Sequence, residues 1–328
     1  MTGVVRQLTA DEISAVRPLA DSYPYLFNGQ YQYDVRHDSL VDVYLQRLQR
    51  KLTSEAISAH VWWESGKAHA LTTLEQLAWD TEHFGVPIVR LEFVRDPGVE
   101  LPVLQELIRV CLRRCAEENV AHVSARVPVS LANLQKALAG CGFEPVGVKL
   151  MLRTDGKKPA LPPRGSEARY CTAAPEDFTR VYALAATAIT DSRFHRDGRF
   201  DPERVAAMYV NWVEQESKKN AEHTVVAWLG DEIVGYLTYE IGIGLYDLKP
   251  DELGDIDVGF VASVTVLDHA RGRGIGNGLL NEGARRMWDM GCTVVFANVM
   301  LSNPASVNAF LAAGFTLMGS MQEFHAWL

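Results

Sequence analysis

Arg271 and Arg273 stand among four alternating glycines, Gly272, Gly274, Gly276 and Gly278, and this cluster is the strongest chemical signal in the chain. Upstream, Val258 to Leu267 is rich in β-branched residues and contains Val264-Thr265-Val266, which reads as a buried strand. Downstream, Leu279, Leu280, Gly283, Met287 and Trp288 recur at helical spacing until Gly291, a C-terminal stop. The segment is therefore strand, Gly-rich turn, helix. Such a turn leaves backbone N–H groups unpaired at a helix N-terminus, where the helix dipole favours negative charge, so it suits a phosphate or pyrophosphate. The two arginines add donors for phosphate oxygens. A turn needed only for tight strand-to-helix packing is the competing reading. The dinucleotide spacing Gly-x-Gly-x-x-Gly with an acid about 20 residues on is absent, and so is the Walker spacing.

What does fit is Arg-x-x-Gly-x-Gly, read as Arg271, Gly274 and Gly276 after Val264-x-Val266. A second element follows the strand Thr293 to Val299: Asn303, Ser306, Phe310, then Gly314-Phe315. Together they resemble the acetyl-CoA motifs of the GNAT acetyltransferase superfamily. The resemblance implies an α/β fold with a mixed sheet and acetyl-CoA as co-substrate, with no metal. It implies that backbone groups of Val264, Thr265 and Val266 pair with the pantetheine arm. The N–H groups of Arg271, Gly272, Arg273, Gly274, Ile275, Gly276 and Asn277 would hold the pyrophosphate, with Asn303, Ser306 and Phe310 on the other side of the arm. The family commonly has a tyrosine that protonates the departing thiolate, and here that position is Phe310. A thiol with a reference pKa near ~8.5 is already a tolerable leaving group. Ser306, one turn earlier on the same face, and Glu240, on a strand near the expected acceptor side, are the candidate catalytic groups; Tyr239 and His325 are weighed beside them.

A narrower resemblance suggests the acceptor. The Trp79-to-Gly85 segment, the run Ser192-Arg193-Phe194 and the helix carrying Tyr209 and Trp212 are similar to the dTDP-fucosamine acetyltransferase group, over roughly residues 75–328. It implies an amine on a nucleotide-linked deoxysugar, bound by Arg193, Phe194, His195, Tyr209 and Trp212, with Arg196 and Arg199 also near a pyrophosphate. A solvated loop beside a packed aromatic pair is the alternative. Three functions stay open: an N-acetyltransferase for a small amino-sugar, an acyltransferase for another small amine such as an aminoglycoside or amino acid, and a non-catalytic CoA-binding sensor or scaffold.

The elements around the Gly-rich turn have an echo earlier in the chain. The helix Leu101 to Glu118, the strand Val120 to Val127, a helix from Ser130 and Gly142-Phe143 follow one another as do the later helix, strand, helix and Gly314-Phe315. Aligned on the Gly-Phe pairs, Leu131, Leu134 and Leu138 replace Asn303, Ser306 and Phe310. Two copies of one unit are expected. Residues 1–160 form a degenerate copy with an N-terminal helical extension, and residues 166–328 form the catalytic copy. The Gly- and Pro-rich stretch 154–166 joins them. Within the first 70 residues, Ala10 to Ala20 and Leu40 to Leu52 look helical. Between them the aromatic run Tyr23 to Tyr33 reads as core or seam before it reads as a ligand surface.

Composition bounds the rest. At 328 residues, 48% apolar and 22% charged, the chain can fill two ordinary globular domains. A formal charge of −9 argues against nucleic-acid binding as its main business. Five cysteines without a Cys-x-x-Cys pair suit a reducing compartment. No apolar stretch approaches the ~18–20 residues of a membrane span, and no signal-like N-terminus is seen, so a soluble cytoplasmic protein is expected, with a homodimer left open.

Overall fold

The computed structural model describes residues 3–29, 36–155, 167–188, 191–241 and 258–328. The distal part of the aromatic run (30–35), most of the linker (156–166) and the loop ahead of the Val264 strand (242–257) lie outside the described residues. The chain divides into two compact units, Met1–Val148 with Gly319–Leu328, and Lys149–Met318.

In the first unit the order is β1 (Val4–Gln7), α1 (Arg17–Ser22), α2 (His37–Thr53), β2 (Ile57–Glu64), β3 (Lys67–Gln76), α3 (Ala78–Phe84), β4 (Ile88–Arg95), α4 (Leu101–Glu117), β5 (His122–Pro128), α5 (Ala132–Ala139) and the start of β6 (Glu144–Thr154). Neighbouring strands from β1 to β4 are antiparallel, β4 and β5 run parallel, and Met321–Trp327 pairs antiparallel along β5. The helix α4 forms because Leu104, Leu107, Ile108, Cys111 and Cys115 fall on one stripe, all buried. Its outer face carries Arg109, Arg113 and Arg114, paired with Glu106 and Glu118. Burial pushes the Cys115 thiol up to about 12 and the Cys111 thiol higher still, so both stay as inert thiols. The described part of the aromatic run packs inward: Tyr23, Leu26 and Phe27 are buried.

The second unit contains Lys149–Thr154 of β6, then β7 (Arg169–Thr172), α6 (Phe178–Ala188), α7 (Arg193–Arg196), α8 (Pro202–Lys219), β8 (Thr224–Leu229), β9 (Glu232–Ile241), β10 (Val258–Val266), α9 (Ile275–Asp289), β11 (Val294–Met300), α10 (Pro304–Ala312) and the first residues of β12 (Thr316–Trp327). Its strands lie in the order β6-β11-β10-β9-β8-β7, parallel only at β10/β11. The mixed α/β architecture expected from the sequence is present, and the repeat is more complete than expected. The first 70 residues, expected as a helical extension, supply β1, α1, α2 and β2, matching β7, α6, α8 and β8 in order.

Both units share one irregularity. In the first, β4 and β5 pair from Ile88/His122 to Leu91/Ala125, after which β4 continues beside β3 and β5 beside Met321–Trp327. In the second, β10 and β11 pair from Val258/Val294 to Val261/Ala297, after which β10 follows β9 and β11 follows β6. Each parallel pair thus opens into a V. Among the described residues no helix is long and apolar enough to cross a membrane.

Candidate acetyl-CoA site

The open arm of β10 carries Val264, Thr265 and Val266, which pair with Leu237, Tyr236 and Gly235 on the β9 side and have no register partner on β11. A register shift between Val261 and Ser263 starts the divergence. Gly235 is needed opposite Val266: a Cβ there would lie 2.7 Å from the Thr265 carbonyl oxygen. One backbone edge of the arm is therefore available to an extended chain, as in strand addition.

Where the strand ends, a short 3-10 turn and two left-handed glycines, Gly272 (φ 75°) and Gly274 (φ 75°), turn the chain into α9. Gly274 is the N-cap and has no side chain to cap with. The first intrahelical bond runs from the Gly278 N–H to the Gly274 carbonyl, 3.0 Å, so Ile275, Gly276 and Asn277 have no carbonyl four residues back to bond. These amides lie at the positive end of a fifteen-residue helix, and the one carboxylate of the turn before it, Asp268, is paired with Arg271. Gly278 sits under Tyr170, whose Oη would lie 2.0 Å from a Cβ at that position.

The side chains of the motif have structural work as well. Arg271 donates from Nε to the Val266 carbonyl at 3.1 Å and pairs with Asp268 at 2.8 Å, which closes the turn. Arg273 is exposed and lies 3.2 Å from Glu167. Asn277 donates to the Ala309 carbonyl at 3.3 Å, tying α9 to α10. Asn303 is the N-cap of α10, its Oδ1 accepting from the Ser306 N–H at 3.0 Å. Ser306 is half-buried in the first turn of α10. Phe310 is buried and packs edge-on against Phe315, centroids 5.1 Å apart. Glu240 is half-buried on β9 opposite Phe260, on the closed side of the V.

The segment 191–200 is tied to the other arm of the V. Asp191 takes a bidentate pair from Arg196 (2.6 and 3.2 Å) and a hydrogen bond from Ser302, the second residue past β11. Neither Asp191 nor Ser302 stands out in the sequence; their only signal is a short polar side chain beside an element end. His195, on α7, has Nδ1 2.9 Å from Ser192 Oγ and stacks on Tyr209 at 6.0 Å. Phe194 is buried edge-on to Phe200, with the Arg193 guanidinium 4.5 Å over its ring, so it serves packing. Arg199 pairs with buried Asp197 at 2.9 Å. Trp212 is half-buried one turn beyond Tyr209.

Burial holds His195 below the ordinary imidazole range, against the pull of Asp191, so near neutrality it is an uncharged acceptor. His60 and His223 are lowered by burial too. Below their ordinary pKa of 6.5 the unfolded chain takes up protons that the folded chain refuses, so stability falls as pH drops below that value and through the folded pKa values. A thermal melt series from pH 7.5 to 5.0 is expected to show Tm falling steadily below about pH 6.5. His60→Gln should flatten part of that slope, and an unchanged slope would mean that His60 is not among its causes.

Residues 187–315 match the acetyltransferase (GNAT) family. The fold is similar to that of a GCN5-related N-acetyltransferase from Sphaerobacter thermophilus, at 16% identity and a TM-score of 0.66 over 99% of this chain and 96% of that one. A GCN5-related glucosamine N-acetyltransferase region in a fungal multi-domain GH3 β-N-acetylglucosaminidase gives 0.63 at 17% identity, over 99% of this chain and 38% of that one. A tandem GNAT protein from the clavulanic acid biosynthesis pathway gives 0.56 at 14% identity, over 99% and 98%. At these identities the likeness is one of fold, a GNAT fold present twice. No curated protein matches the chain in sequence.

Proposed function

We propose, from the GNAT match over residues 187–315, that the second unit is an acetyl-CoA-dependent N-acetyltransferase acting on a small amino-sugar. The observation that carries the cofactor half is the coincidence of two features at one place: an open β10 edge at Val264–Val266 and uncapped amides at Ile275–Asn277. An extended pantetheine arm suits the first and a pyrophosphate suits the second.

The reaction is direct attack of a neutral amine on the thioester carbon, with the C–N bond forming as the C–S bond breaks and the thiolate leaving. Backbone N–H groups of the open β10 arm are placed to take the developing oxyanion charge. Neutral His195 is held by Ser192 and Tyr209 on a segment anchored at Ser302, and it is the group we assign to receive the amine proton. Ser306 and Glu240 are the weaker candidates, the first bound through its amide to Asn303 and the second beside β10's closed edge.

Support for the amino-sugar is indirect. The 191–200 segment resembles the acceptor loop of the dTDP-fucosamine group, and the name of one similar structure includes a glucosamine N-acetyltransferase. Arg196 and Arg199 are each paired with an aspartate of their own loop, which favours a free amino-sugar over a nucleotide-linked one. Phe310 favours a second reading, a CoA-binding sensor, because a buried phenyl ring cannot protonate a thiolate.

The test is free-thiol release from acetyl-CoA with a panel of free, dTDP-linked and UDP-linked amino-sugars beside amino acids and aminoglycosides. Release with an amino-sugar, slowed at least tenfold by His195→Gln, is the expected result. Release only with another amine would move the acceptor class, and tight acetyl-CoA binding with no release would leave the sensor.

A further inference from the structure

Both units part a pair of parallel strands, and they differ in what stands just past the parting. In the second unit the last parallel pair is Val261/Ala297, so Asn298 is the first residue of the open β11 arm. In the first unit the last pair is Leu91/Ala125, which puts Arg126 at the equivalent place on β5. Arg126 is already engaged. It lies opposite Glu323 on the neighbouring strand and donates to that carboxylate from Nε at 3.1 Å and Nη2 at 2.7 Å. Asn298 lies opposite Met151, whose thioether sulfur cannot donate and accepts only weakly, and its carboxamide makes no hydrogen bond to any described residue.

Solvent reaches this point of the sheet. Among the described residues of β11, Asn298 alone is not buried, although the strand lies between β6 and β10. Alternation fixes the face it occupies. A Cβ on Gly259 would meet Met287 of α9, and Gly259 pairs with Val295, so Val295, Ala297 and Val299 are on the α9 face. Phe296, Asn298 and Met300 are on the other. Gly235 and Leu237 also lie against α9, so Tyr236 between them is on that second face, where Val181 and Leu184 of α6 and Val213 of α8 pack with it. The segment 191–200 joins α6 to α8, and Asp191 accepts from Ser302, four residues beyond Asn298. Asn298 and the segment that carries His195 therefore belong to one arm of the V and one face of the sheet.

On that face the neighbours of Asn298 along its strand, Phe296 and Met300, are apolar and buried. The carboxamide brings one acceptor, two donor hydrogens and no charge to an otherwise apolar wall. A neutral amine with a hydroxyl on the adjacent carbon presents the complementary pair. An α-amino acid would bring a carboxylate instead, and burying that beside Asn298 would call for a cation.

We infer that Asn298 selects the acceptor, taking an amine that has a hydroxyl on the neighbouring carbon. Its Oδ1 accepts from the amine N–H, and its Nδ2 donates to the hydroxyl oxygen. Two contacts from one side chain orient the amine, which an attacking nucleophile requires. The inference rests on the transferase reading and narrows it, since the amino-sugar is then one whose amine stands beside a free hydroxyl.

The experiment measures thiol release from acetyl-CoA by the full chain with glucosamine, a vicinal aminocyclohexanol and cyclohexylamine, in the wild type and in Asn298→Leu, which keeps the size and removes both polar atoms. The wild type should favour the aminocyclohexanol over cyclohexylamine at least tenfold in kcat/KM, and Asn298→Leu should bring that ratio close to one, with acetyl-CoA affinity unchanged. Asn298→Asp is isosteric and lacks the donor, so it takes the place of Asn298→Leu should the latter lower the melting temperature, and the ratio should fall there too. A ratio that survives both substitutions, or a wild type without preference, would overturn the assignment. Calorimetric titration of glucosamine into the CoA complex needs no turnover and separates the two readings. Saturable binding that is lost in Asn298→Leu, with no thiol release from any amine, would sink the transferase reading and keep Asn298 as the amine site; absence of both binding and release would overturn both.

Discussion

Glutamate in place of Gly274 is expected to weaken acetyl-CoA binding at least a hundredfold while the protein still folds. Gly274 holds φ 75°, ψ 3° as the N-cap of α9, a conformation that costs a residue with a Cβ roughly 1–2 kcal/mol. That strain is partly offset, because a carboxylate at a helix N-terminus stabilises the helix by ~0.3–1 kcal/mol. The net change in stability is therefore small. Binding suffers differently: the new carboxylate stands where Ile275, Gly276 and Asn277 present their amides, and it competes for the donors a pyrophosphate needs. A hundredfold loss corresponds to ~2.8 kcal/mol, within what removal of one charge-assisted contact plus one added repulsion supplies. Gly274→Ala separates the causes, since it brings strain without charge and should lose much less. Calorimetric titration with acetyl-CoA reads both variants. Wild-type affinity in Gly274→Glu would place the cofactor elsewhere.

The glycine turn was legible because its requirement is local: glycine adopts a positive φ without steric cost, and Gly272 and Gly274 both adopt it. The order of helices and strands was legible from periodicity for the same reason. Leu134 and Leu138, read as polar positions turned to packing, are fully buried in α5, and Leu131 takes the N-cap place that Asn303 takes in α10. What the sequence hid depends on distant partners. Arg271 looked like a phosphate donor, but its Nε is spent on the Val266 carbonyl. The aspartates Asp191 and Asp197 looked like loop residues, and they neutralise Arg196 and Arg199. The first 70 residues seemed without counterpart because their aromatic and helical segments share with 167–223 an order of elements rather than a pattern of residues. The linker at 154–166 suggested a simple division, whereas the compact units assign Lys149–Thr154 to the second and Gly319–Leu328 to the first. An alternating apolar strand fits any parallel or antiparallel neighbour with a buried face, so strand pairing across two hundred residues is not written in periodicity.

That assignment has the largest stability consequence in the molecule. Deleting Gly319–Leu328 is expected to unfold the first unit, although the residues removed follow it by some 170 positions. Met321–Trp327 is the strand that completes β5: seven register pairs run from Met321/Pro128 to Trp327/His122. Met321, Phe324, His325 and Ala326 are buried, and Phe324 and Ala326 belong to the same core as Leu104, Leu107 and Leu134. Two fully buried large side chains contribute about 3–6 kcal/mol, comparable with the ~5–15 kcal/mol stability of a whole domain. Deletion also removes Glu323, which accepts from Arg126 Nε at 3.1 Å and Nη2 at 2.7 Å, and leaves the β5 ladder as a bare edge. Limited proteolysis reads the outcome: in the truncated chain, cleavage should concentrate within residues 3–148, with a fragment from the 149–318 region persisting. A milder variant, Arg126→Met, keeps the strand but leaves the Glu323 carboxylate buried without that partner, and it should lower stability by ~3–5 kcal/mol at neutral pH. The deficit should shrink in acid, since protonating Glu323 removes the charge that Arg126 meets. If the truncated chain keeps residues 3–148 protected, β5 is completed by another strand and the assignment of Gly319–Leu328 to the first unit fails.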